Sequence, residues 1–175
     1  MRLLATLALA VAAALAAPAH AHKAHVHGVM NLNIAIDGSV LSVELVTPQD
    51  SLVGHERRPR PGAEATAAGA ALALLREAPR WLQPDAAAGC SAGAVTIVAG
   101  KLEGPAPAGE KDTGHADVEA RVEWRCQAPA ALRGADVLLF EAFRRAERIE
   151  VQVAGGSGPA KQTLRRGQRR VALAR

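Results

Sequence analysis

Four of the six histidines stand within eight positions near the start of the chain: His20, His22, His25 and His27. In an extended backbone, residues i and i+2 point the same way, so His25 and His27 present two imidazoles side by side. Neutral imidazole nitrogen is a borderline ligand that suits zinc, copper and nickel. Two imidazoles alone make a weak site, because tight zinc binding takes three or four ligands. Further donors lie downstream. His115 and Asp117 are again spaced i, i+2, and His55 stands beside Glu56 in the segment GHERRPRPG. The metal-ligand candidates are therefore His22, His25, His27, His55, His115 and Asp117, for zinc, copper or nickel. The bland alternative makes these histidines solvated polar residues. Glu56 beside His55 offers an acid/base pair, but reads more readily as a loop carboxylate paired with Arg57 or Arg58.

Other chemistry finds little support. The chain has no G-x-S-x-G, H-E-x-x-H or Walker loop, so the expectation is a protein that is not an enzyme. Asp50, Ser51 and His55 lie close in sequence, but adjacency is not triad geometry. Arginines and lysines cluster at 57–60, 144–148 and 161–175, and no acidic residue follows Glu150. A formal net charge of +4 is mild, and no aromatics are interleaved among these arginines. Nucleic acid is therefore not an expected partner, and the clusters read as solvated faces.

The N-terminus reads as an export signal. Arg2 gives a positive start, Leu3 to Ala14 is an apolar run of signal-peptide length, and Pro18 breaks it. Ala19 and Ala21 fit an A-x-A cleavage site. Cleavage after Ala21 leaves a free amine next to His22. Cleavage after Ala19 leaves His20-Ala21-His22, an arrangement that suits square-planar copper or nickel. The run is short for a transmembrane span and no stop-transfer segment follows, so stable membrane insertion is not expected after cleavage. The Ala, Arg and Gly bias fits a bacterial chain and places the product in the periplasm. The organisation expected is a signal peptide over 1–21 and a single domain over 22–175, with a flexible loop at about 100–114.

Cys90 and Cys126 are the two cysteines. In an oxidising compartment the default reading is one disulfide; a redox or thiolate metal site is the alternative, disfavoured by the lack of C-x-x-C spacing. The remaining pattern says what must hold these side chains. An apolar fraction of 49% against 22% charge excludes a disordered chain. Val29–Asp37 and Val40–Thr47 alternate apolar and polar residues on either side of Asp37-Gly38, a hairpin signal. Ala63 to about Ala78 has helical spacing, stopped by Pro79. Ala94–Ala99, His115–Cys126 and Ile149–Val153 read as strands, and Lys161–Arg166 with Arg169–Leu173 as a closing hairpin around Gly167. Strands outnumber helices without βαβ alternation. The expected fold is α+β: an antiparallel β-sheet with one main helix packed on it, and one disulfide.

These segments in this order resemble the ZrgA-like periplasmic proteins, a zinc-regulated family. The matching features are AHVHGVMNLNIAIDGSVLSVEL after a signal peptide, SLVGHE, Cys90 after a helix, HADVEARVEWRC, ALRGADVLLFEAF and the closing VQV…GPAKQTL. The resemblance covers nearly all of the chain after the signal and implies a periplasmic zinc-binding protein that assists zinc capture and uptake, with an envelope zinc-uptake system as partner. It implies metal binding first for His25 and His27. Two departures stand out. The His- and Asp-rich insertion usual before the H-x-D/E strand corresponds to Lys101–Gly114, which has no His and offers Glu110 and Asp112. In the GHE segment, His55 precedes Glu56 and Arg57 follows, where the family carries an aromatic before and a His after. The alternatives are a copper or nickel protein using its mature N-terminal His, and a non-metal envelope interaction protein.

Overall fold

The computed structural model describes residues 26–104, 114–156 and 158–173. The signal-peptide reading and the candidates His22 and His25 fall outside the described residues, as does most of the expected loop before His115. Ten strands are described: β1 Val29–Asp37, β2 Val40–Pro48, β3 Leu82–Pro84, β4 Cys90–Ala92, β5 Thr96–Val98, β6 Asp117–Cys126, β7 Gly134–Val137, β8 Arg148–Ala154, β9 Ala160–Arg165 and β10 Arg170–Ala172. Three α-helices accompany them: α1 Gln49–Val53, α2 Ala63–Arg76 and α3 Leu139–Ala142.

The main sheet runs β4-β6-β2-β1-β8-β9, with β5 also paired to β6. The β1–β2 hairpin forms as its alternation predicts, with Asp37 opposite Val40. Leu32, Ile34, Leu41, Val43 and Leu45 are buried on one face, and Asn33, Ala35, Ser42 and Glu44 lie on the other. The inner face joins one core with Leu72 and Leu75 of α2, Trp81, Phe140 and Phe143. Helix α2 ends before Pro79, and a 3-10 turn Ala78–Arg80 follows. The buried Trp81 indole N–H donates to the Leu75 carbonyl at 2.9 Å, satisfying one of the acceptors a helix end leaves open. The α+β class holds, and Cys90 and Cys126 face one another across β4 and β6 and are bonded.

Two expectations need correction. The sheet is mixed rather than antiparallel, because β1 and β8 are parallel, with Val29 opposite Arg148. A parallel pair needs a long crossover, and strand alternation says nothing about what lies on each side. The closing hairpin does not form: β9 pairs with β8, while β10 pairs with β7 in a second sheet of order β10-β7-β3. The turn at Gly167 thus passes the chain between sheets.

Candidate metal centre

Topology brings three distant segments to one end of the main sheet. Strand β2 lies between β1 and β6 and is antiparallel to both. The start of β1, the exit of β2 and the start of β6 therefore coincide, with Asp117 opposite Pro48. His27 precedes β1, Glu56 follows β2 through α1, and His115 precedes β6. The Glu56 carboxylate meets both imidazoles: Oε1 lies 3.4 Å from His27 Nε2, and Oε2 lies 3.2 Å from His115 Nδ1. The carboxylate is 7% exposed, whereas the imidazoles are 55% and 73% exposed. A buried anion is thus flanked by two accessible nitrogen donors. The 3.4 Å separation is that of an ion pair and the 3.2 Å separation that of a hydrogen bond; both also fall near the roughly 3.3 Å between ligands of one tetrahedral zinc with bonds of about 2.0–2.1 Å.

The second nitrogen of His27 also faces a carboxylate, with Nδ1 3.8 Å from Asp50 Oδ1. At that separation the contact is a long-range electrostatic one, beyond hydrogen-bond distance. The backbone beside His27 is anchored. The Gly28 N–H donates to the buried Ser51 hydroxyl at 3.0 Å, and the Gly28 carbonyl accepts from the Glu147 N–H at 2.8 Å. Gly28 has φ of +78°, and a Cβ there would stand 3.1 Å from the Glu147 side chain, so this anchor is suited to glycine.

The other candidates are placed differently. His55 Nδ1 is 3.0 Å from the Arg57 carbonyl, and its buried Nε2 stands 3.7 Å from Glu64 Oε2 without a hydrogen bond. His55 thus supports its own loop and does not join the convergence on Glu56. Glu64 is held by Arg57 in a two-pronged pair at 2.7 and 2.9 Å, and by the Arg60 N–H at 2.8 Å. The Arg57 hydrogen bonds, the Arg60 N–H and the charges of Arg57 and His55 pull the Glu64 carboxyl down to about 2. Asp117 opens β6, half-buried. Among the described residues, no group of three or more His, Cys, Asp or Glu side chains is arranged around a common metal position. The described part supplies two imidazoles and one carboxylate, contacting in pairs.

Sequence reading treats Glu56 as a partner of Arg57 or Arg58 and so misses the group on which the imidazoles converge. Arg57 pairs with Glu64, and the described contacts of the Glu56 carboxylate include both imidazoles. The available signal was positional: GHE follows the exit of β2, whose neighbours begin after His27 and His115. An open groove of about 820 Å³ lies elsewhere, on the sheet face away from the core, lined by Asn33, Glu44, Arg121, Gln152 and Lys161. Its floor is a self-satisfied network in which Asn33 and Arg121 both donate to Glu44, and it holds none of the candidate ligands.

Sheet, disulfide and cluster together define a small α+β domain that presents imidazole and carboxylate donors at one sheet end. A family model described as ZrgA family zinc uptake protein matches residues 24–173. The chain belongs to that family. A search of curated proteins gives no match. No helix among the described residues is long and apolar enough to cross a membrane.

Proposed function

We propose that this chain captures zinc in the periplasm and passes it to an uptake system of the cell envelope. In this reading, His27, Glu56 and His115 hold the ion, and His25 or His22 from the mature N-terminus completes the ligand set. The convergence of two accessible imidazoles on one buried carboxylate carries the proposal. The zinc-uptake family supports the choice of zinc, and nothing in that match points to copper or nickel. Zinc is cargo here, and no reaction is assigned to the protein. Exposed imidazoles suit a carrier, because protons and acceptor ligands reach them readily and compete with the metal. Residues 1–21 are read as the export signal removed before the protein works.

The test is a zinc titration of the mature, tag-free protein against a chromophoric chelator, with mass spectrometry of its N-terminus. One zinc per chain is expected. Glu56→Gln and His27→Ala should each weaken binding by more than about tenfold, since even outer-shell changes cost that much. Binding should also weaken below about pH 6, where imidazoles take up protons. Unchanged affinity in Glu56→Gln would reject the assigned site, and tighter stoichiometric copper or nickel would reject the choice of ion.

A further inference from the structure

The geometry points to Gln49 and Ser51 of α1 as positioning residues that set the zinc affinity of the cluster; the inference rests on the site proposed above. Gln49 is fully buried and grips three segments at once. Its Nε2 donates to the carbonyls of His55 at 3.1 Å and Arg57 at 2.7 Å, the two residues flanking Glu56. Its Oε1 accepts the Lys101 N–H at 3.0 Å, at the root of the segment that leads to His115. Its own N–H donates to the Ala116 carbonyl at 2.8 Å, next to His115. Two residues on, the fully buried Ser51 hydroxyl accepts the Gly28 N–H beside His27.

All three proposed ligands are thus held through their chain neighbours by one turn of helix. Neither side chain touches a ligand side chain in these bonds, so neither residue is itself a ligand. Their effect is to fix mutual placement. Three ligands from segments this far apart bind a metal tightly only if they do not have to be gathered at the moment of binding. An amide is the side chain that suits position 49, since it supplies two donated bonds and an acceptor. A carboxylate there would set an anion against two carbonyls.

The test compares zinc affinity in the wild type, Gln49→Met, Ser51→Ala, Glu56→Gln and Val171→Ala. Ser51→Ala removes a single oxygen and remains informative if Gln49→Met fails to fold. Val171 is buried in the second sheet, so its truncation lowers stability without touching α1. Thermal melts of each variant and the visible absorption of the cobalt(II) form are recorded alongside. The expectation is a rise in zinc Kd of about 10–100-fold for Gln49→Met and Ser51→Ala, with altered cobalt bands, while Val171→Ala melts lower but keeps wild-type Kd and bands. Wild-type Kd and bands in Gln49→Met and Ser51→Ala would overturn the positioning role. So would a loss that Val171→Ala reproduces at equal melting temperature. Failure of the site itself looks different: the wild type would not bind zinc, or Glu56→Gln would bind as well as wild type.

Discussion

Glu56 and Glu64, eight positions apart, show how surroundings divide the work of one side-chain type. The Glu56 side chain is largely covered, with its carboxylate turned to His27 and His115. Glu64 is locked by Arg57 and the Arg60 N–H. Its carboxyl, normally near 4.5, is held down at about 2. A depressed folded-state pKa contributes stability above the unfolded value and loses it as pH falls through the folded one. The Glu64 contribution should therefore be complete above about pH 5 and fade between about 4.5 and 2. Thermal melts across that range should show Glu64→Gln less stable than wild type at pH 6, with the two curves merging near pH 2. A constant gap down to pH 2 would mean the ion pair is not what Glu64 contributes.

At the scale of elements, five-residue α1 connects β2 to the loop that bears Glu56. It has no side-chain N-cap, and a helix so short has little stability of its own. Its exit is defined by Gly54, at φ +86°, whose N–H donates to the Asp50 carbonyl at 2.7 Å. A Cβ at Gly54 would come within 2.6 Å of Arg145 Nε. Gly54→Ala forces a left-handed conformation on a residue with a Cβ and pushes that arginine aside. A loss of about 1–2 kcal/mol is expected from urea unfolding, with weaker zinc binding because the turn into Glu56 shifts. Wild-type stability would show that the loop has another conformation of equal energy.

Across the whole molecule, the disulfide and the arginine-rich C-terminal part secure the scaffold away from the candidate ligands. Arg166 donates to the carbonyls of Phe140, Arg144 and Ala146 and lies over the Phe140 ring. Arg170 pairs with Asp85 and Asp136, and Arg169 with Asp136. These are internal ties, so the clusters are less a uniform solvated face than the sequence implied. The Cys90–Cys126 bond spans 36 positions and joins β4 to the end of β6 farthest from His115. Replacing both cysteines with serine should cost about 2–5 kcal/mol by denaturant unfolding. Zinc affinity of the folded fraction should stay near wild type. A parallel loss of affinity would show that strain passes along β6 to the site.

Local chemistry made much of this legible without coordinates. Alternation around Asp37-Gly38 specified the first hairpin, helical spacing closed by Pro79 specified α2, and two cysteines in an exported-looking chain specified their bond, because each depends on neighbours in sequence or on a choice of one. Clustered histidines likewise pointed to late transition metals. What tertiary structure alone decided is which donors meet. The parallel β1–β8 pair and the separation of β9 from β10 depend on which faces bury together, and alternation is blind to that. Glu56 reads as one more loop carboxylate until β2 is known to lie between β1 and β6. That arrangement sets it between His27 and His115, while His55, its neighbour in sequence, turns to Arg57 and Glu64.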